Sequence, residues 1–199
     1  AIVCMLVVGI LFYAGISFSQ LTLLILLIAL LGYLAITTSP MRLARVLAFT
    51  DPFAVDVVQK AGWQLSNSLI SIGQGGWFGV GLGNSFQKSF FLPEAHTDFI
   101  FAVVAEEFGL FGVMGLFLVY LILAFRLVMI AKNSNFLFVK LVAGTFIFLL
   151  LTYVAFNTAM VVGILPVVGM PLPFLSQGGT ALIINMIMIG IILSFRRTA

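Results

Sequence analysis

Apolar residues run almost unbroken through five stretches of this chain, at about 1–17, 20–37, 98–129, 138–163 and 178–195. Each is near the length a helix needs to cross a bilayer, and none shows the short alternating pattern of a barrel strand. The pattern predicts an all-α integral membrane protein: a polytopic helix bundle with about five spans. Only Phe18 and Ser19 separate the first two stretches, which predicts a tight hairpin there. The stretch at 98–129 is longer than a bilayer requires, so it is tilted or begins outside the hydrocarbon. Residues 1–199 read as a single membrane domain with one large loop at 38–97.

That loop has its own pattern. Ser39-Pro40 ends a span, and Met41 to Phe49 follows as a short amphipathic helix with Arg42 and Arg45 three residues apart. Such a helix lies in the membrane interface, apolar side down. Asp51-Pro52 marks a turn. From about Val57 to Ile72 a second amphipathic pattern places Leu65, Leu69 and Ile72 on one face, and Gln64, Ser68 and Ser71 on another. Six glycines then fall between Gly73 and Gly83. The run lacks a dinucleotide-binding register, a following Walker lysine and a preceding strand, so it reads as a hinge or a place of close backbone approach.

Composition narrows the class further. The chain is 63% hydrophobic and 8% charged, with a mean hydropathy of +1.28, which no soluble domain needs. The net charge of +3 comes from dispersed basic residues, so no nucleic-acid interface is expected. Arg126, Lys132 and Lys140 flank one short loop, and Arg196 and Arg197 close the chain. The positive-inside rule puts both places in the cytoplasm, leaving 38–97 and 164–177 outside. The lone Cys4 permits no intrachain disulfide. The chain opens inside an apolar run without methionine or basic flank, and is read as a fragment.

Candidate chemistry gathers between Phe91 and Gly109, which hold the chain's one histidine, His96, and four of its six acidic residues. Thr97 is the expected N-cap of the helix that follows, with Asp98 in its first turn. On that helix Asp98, Ala102, Ala105, Gly109 and Gly112 share one stripe, whose small residues admit a close neighbour. Asp98 is therefore expected to face the protein interior or a cavity. His96 has no second histidine to share a metal and reads as a loop-fixing residue. Glu106 and Glu107 read as intramembrane polar groups holding helices together, with Asn157 and Asn185 as their expected partners. The proline-rich loop from Ile164 to Gly179 reads as a rigid re-entrant turn or as the wall of a substrate groove, where Ser176 and Gln177 donate hydrogen bonds.

Three stretches, Gly81-Leu-Gly-Asn-Ser-Phe-Gln-Lys88, Leu92-Pro-Glu-Ala-His-Thr-Asp-Phe-Ile-Phe101 and Ala105-Glu-Glu-Phe-Gly109, strongly resemble the SEDS family (shape, elongation, division and sporulation). Leu172-Pro-Phe-Leu-Ser-Gln-Gly-Gly179 resembles that family's last outer loop. Alanine at position 95 resembles the division-associated branch, where the elongation branch carries arginine. Members have ten spans, so the chain resembles the C-terminal half. The resemblance implies a peptidoglycan glycosyltransferase that polymerises lipid II, the undecaprenyl-pyrophosphate-linked disaccharide peptide, at the outer face of the bacterial cytoplasmic membrane. It implies a septal location, a class B penicillin-binding protein as partner along with other division proteins, and membrane lipid around the spans. It also implies that Asp98 is the essential aspartate.

Inverting glycosyl transfer needs one base to take a proton from the attacking hydroxyl, whereas a pyrophosphate leaving group needs positive charge and no acid. One carboxylate plus basic residues therefore suffices, unlike the carboxylate pair of a hydrolase. On this reading Asp98 is the base and Lys88, Arg42 or Arg45 neutralises the pyrophosphate. Glu94, His96, Ser176 and Gln177 complete the substrate contacts. The reading leaves room for a divalent cation, Mg or Mn, with Asp98 or Glu94 as ligand. Two other functions compete: a lipid-linked-precursor transporter using Glu106 or Glu107, and a scaffold for a penicillin-binding protein. Transport needs alternating access across both leaflets. The suggestive polar residues cluster at the outer side, which favours chemistry there.

Overall fold

The computed structural model describes residues 7–9, 11, 15–53, 62–87 and 92–195, without the side chains of residues 41, 42, 44, 47 and 48. Every regular element among the described residues is helical: α1 (Phe18–Thr37), α2 (Pro40–Thr50), α3 (Trp63–Gly75), α4 (Ile100–Asn133), α5 (Leu137–Val161) and α6 (Gly179–Ser194). Three of them, α1, α4 and α5, are long and apolar enough to cross a membrane, and α6 is a shorter apolar helix. The expected span at 1–17 falls largely outside the described residues.

Contact density divides the chain into Ala1–Ala44 and Arg45–Ala199. In the first unit the turn expected at Phe18 and Ser19 falls earlier. Gly15 takes φ 81°, and Phe18 already opens α1. Only Leu21 of α1 is buried, and the hydroxyls of Thr22, Thr37 and Thr38 return to carbonyls three or four residues back. Polar side chains satisfied in this way leave a helix fit to face hydrocarbon. Pro40 stands first in α2, where its missing N–H costs nothing.

In the second unit α4 and α5 run antiparallel across the short connection at 134–136. Leu65 of α3, Ala102 of α4, Leu150 and Met160 of α5, and Leu172 of the last loop share one core. Leu127, Ala143, Phe146 and Ile192 form a second core. Both predicted faces of α3 are turned inward: Ser66, Asn67, Ser68 and Ser71 are buried along with Leu65, and Leu69 and Ile72 pack against the same core. The Ser68 hydroxyl donates to the Val161 carbonyl at 2.8 Å, tying α3 to the end of α5. Burying a polar face is tolerated because its hydroxyls find partners within the protein.

α4 starts two residues after Asp98, with Phe99 as its N-cap. Thr97 is therefore no cap, and Asp98 stands in the preceding turn, off the helical stripe. Ala102, Ala105 and Gly109 of that stripe are buried, as close packing requires. The helix also breaks at Gly109, whose φ of 65° and ψ of −164° are not helical. The glycine run of 75–81 heals the break. Val80 and Gly81 N–H donate to the carbonyls of Glu106 and Glu107, at 2.9 and 3.1 Å. Leu110 and Phe111 N–H donate to those of Gly76 and Trp77, at 2.9 and 3.2 Å. The backbones pass so closely that a Cβ at Gly79 would overlap the Glu107 carbonyl, and one at Gly109 would overlap the Gly79 nitrogen.

Candidate active site

Local hydrogen bonds shape the turn that presents Asp98. Glu94 adopts a left-handed φ of 56°, and its carbonyl accepts from Thr97 N–H and Phe99 N–H at 3.1 and 3.2 Å. The Thr97 hydroxyl donates to Glu94 Oε2 at 2.7 Å, fixing the acid on the turn. Ala95 and Phe99 are buried beneath, while Glu94 and His96 are exposed.

The turn is then held from the side. Three successive carbonyls, those of His96, Thr97 and Asp98, each accept a bond from distant chain. Gln177 N–H donates to His96 at 2.8 Å, the Ser176 hydroxyl to Thr97 at 2.5 Å, and Asn157 Nδ2 to Asp98 at 2.7 Å. Asn157 Nδ2 also donates to the Met170 carbonyl at 2.5 Å, and Leu172 N–H donates to the Ser176 hydroxyl at 2.6 Å. From α4, the buried Tyr120 hydroxyl donates to the Pro173 carbonyl at 2.5 Å. Asn157 of α5 and the 164–178 loop thus converge on three residues, and Tyr120 of α4 holds that loop. The Asp98 carboxyl is half-buried against Gly169, where a Cβ would stand 3.0 Å from Asp98 Oδ2. Burial, followed by the nearby Glu94 charge, raises the Asp98 pKa above its ordinary value.

Glu94, His96, Asp98, Ser176 and Gln177 come together at one end of the α4–α5 pair, the Gln177 contact being made by its backbone. Arg45 is exposed on α2. Arg42 lies on the same helix with its side chain outside the described set, and Lys88 lies outside the described residues. Asn157 bonds the carbonyls of Asp98 and Met170. Its expected place beside Glu106 is taken by Ser71, Ser85 and the backbone of Phe86 and Gln87. Glu107 is buried, and Asn185 lines a cavity of about 210 Å³ with Tyr153, Pro171, Phe174 and Ser176. Among the described residues no three His, Cys, Asp or Glu side chains group together as a metal cluster would. The roles of Asn157 and Tyr120 in holding the turn are not apparent from sequence, since their partners are backbone carbonyls 59 and 53 residues away.

A half-buried carboxyl on a braced turn, at the end of helices able to cross a membrane, defines the class: an all-helical membrane protein with an acidic site at one end of its bundle. The chain belongs to the FtsW/RodA/SpoVE family of cell cycle proteins, whose model matches residues 1–199. It is 43% identical over 195 residues to a probable peptidoglycan glycosyltransferase FtsW of Coxiella burnetii, covering 96% of this chain and 52% of that protein. Similar relatives carrying the same description occur in Thioalkalivibrio sp., at 47% identity over 165 residues with coverage of 81% and 40%, and in Legionella pneumophila, at 42% over 191 residues with coverage of 94% and 48%. Among solved structures, the fold is similar to a chain from work described as structural coordination of polymerization and crosslinking by a peptidoglycan synthase complex. The TM-score is 0.73 and the identity 29%, over 95% of this chain and 52% of that one. The chain spans about half the length of the curated relatives it matches.

Proposed function

We propose that the protein to which this chain contributes is a peptidoglycan glycosyltransferase, polymerising lipid II into glycan strands at the outer face of the bacterial cytoplasmic membrane, at the division septum. The description shared by its relatives supports the activity, and the synthase-complex neighbour supports a class B penicillin-binding protein as partner. The observation that carries the reading is the Asp98 carboxyl, half-buried on a turn whose carbonyls are pinned at three consecutive residues. Residues 1–199 act as one membrane domain, with 38–97 on the extracytoplasmic side.

Asp98 takes the proton from the acceptor sugar hydroxyl as that oxygen bonds to the donor's anomeric carbon. The glycosidic-phosphate bond breaks, and undecaprenyl pyrophosphate leaves with its electrons. Lys88, Arg42 and Arg45 are the candidates to neutralise that leaving group. Glu94 raises the basicity of Asp98, and His96, Ser176 and Gln177 bound the acceptor side. The rigidity of the turn matters because proton transfer requires the base within hydrogen-bond reach of the hydroxyl. In the full-length protein reconstituted with lipid II, Asp98→Asn is expected to lower glycan synthesis by on the order of 10²–10⁴-fold. Polymerisation at the normal rate overturns the assignment.

A further inference from the structure

Among the described residues the most deeply enclosed acid is Glu106, 1% exposed, which the proposed chemistry does not use. Both its oxygens are occupied by donors from elsewhere in the chain. Oε2 accepts from the Ser71 hydroxyl of α3 at 3.0 Å and from the Ser85 hydroxyl at 2.7 Å. Oε1 accepts from Phe86 N–H at 3.0 Å and, more weakly, from Gln87 N–H at 3.5 Å. The segment 85–87 is therefore fastened to α4 through one side chain. The Gln87 carbonyl in turn accepts from Leu92 N–H at 2.9 Å, and Leu92 leads directly into the Glu94–Asp98 turn. Lys88 follows Gln87 immediately in the chain. One carboxyl group thus holds residues 85–87, and the Gln87–Leu92 bond links them to the Asp98 turn.

We propose that Glu106 is a positioning residue for the reaction: by accepting four hydrogen bonds it fixes residues 85–87 against α4 and, through the Gln87–Leu92 bond, steadies the start of the Asp98 turn. This rests on the proposed glycosyl transfer. The geometry makes a specific distinction between variants. In Glu106→Gln the amide oxygen can still accept from the two backbone N–H groups, and its nitrogen can donate to the two serine hydroxyls, which rotate to accept. In Glu106→Leu the N–H groups of 86 and 87 lose their acceptor. A role in proton transfer or as a required charge fails in both variants. A positioning role survives in the first.

The test uses full-length protein in lipid vesicles, with lipid II turnover and amide hydrogen exchange measured on the same samples. Glu106→Gln is expected to keep kcat/KM within about twofold and to leave exchange at Phe86, Gln87 and Leu92 unchanged. Glu106→Leu is expected to lower kcat/KM by at least tenfold and to speed exchange at those amides, with α5 protection unaltered. If Glu106→Leu proves too unstable to purify, Ser85→Ala removes one donor and is expected to give a smaller rise in exchange confined to 85–92. Three results overturn the proposal: a Gln variant as inactive as the Leu variant, unchanged exchange at 86–92 in Leu or Ala, or loosening spread evenly over α4 and α5. The exchange pattern is read without turnover, so failure of the enzymatic reading, shown by an active Asp98→Asn, is distinguishable from failure of the positioning role.

Discussion

The side-chain amide of Asn157, buried in α5, donates at 2.7 Å to the backbone carbonyl of Asp98. The same nitrogen reaches the Met170 carbonyl, so one residue ties the catalytic candidate to the opposite loop. Replacing Asn157 by leucine keeps the bulk and orphans both carbonyls. The expected cost is roughly 1–3 kcal/mol of stability. A displaced base is expected to lower turnover by up to about 100-fold. Thermal melting and lipid II polymerisation of the full-length variant measure the two separately, and full activity would show that this bond does not set Asp98.

A pH profile tests the acid pair. The Asp98 pKa is raised first by burial and then by the Glu94 charge. A base must be deprotonated to act, so the rate climbs as pH rises through this raised value. Glu94→Gln removes the second cause while its amide oxygen can still accept from the Thr97 hydroxyl. The acidic limb is expected to move to lower pH, stopping above an ordinary aspartate because burial remains. A limb that stays in place or moves to higher pH contradicts the arrangement.

The glycine run supplies a contrast in stability. Gly79→Ala forces a methyl into the Glu107 carbonyl at a φ of 79°, and is expected to cost roughly 3 kcal/mol or more. Gly73 sits within α3 with open space where a methyl would stand, so Gly73→Ala is expected to gain up to about 1 kcal/mol. Chemical denaturation of the two variants side by side decides this, and equal effects would refute the close crossing.

Tyr120→Phe removes the bond to the buried Pro173 carbonyl while preserving the ring. A loss of roughly 1–2 kcal/mol is expected. Faster proteolysis within 164–178 would report the released loop, and an unchanged digestion pattern would show the loop is held without it.

The bounds of α1 and α5 were readable within a few residues, because nothing competes with hydropathy along Phe18–Thr37 or Leu137–Val161. The grouping of Glu94, His96 and Asp98 was readable because they lie close together in sequence, but the turn that holds Asp98 ahead of α4 was not, since distant donors brace it. Gly109 was not: a glycine on a stripe of small residues looks like a packing site, and its break depends on donors and acceptors some thirty residues upstream. Ser68 and Ser71 misled for a related reason. Their alternation with leucine marks two faces of α3, and the partners Val161 and Glu106 bring the serine face inward as well as the leucine one.

The severed helix at Gly109 has a consequence for biogenesis. Leu110 and Phe111 cannot find acceptors within their own helix, and acyl chains offer none. A nascent α4 released into the bilayer by itself is an incomplete object, whose exposed amides favour retention at the insertion machinery. Residues 75–81 leave the ribosome earlier, so translation order delivers the missing partner first.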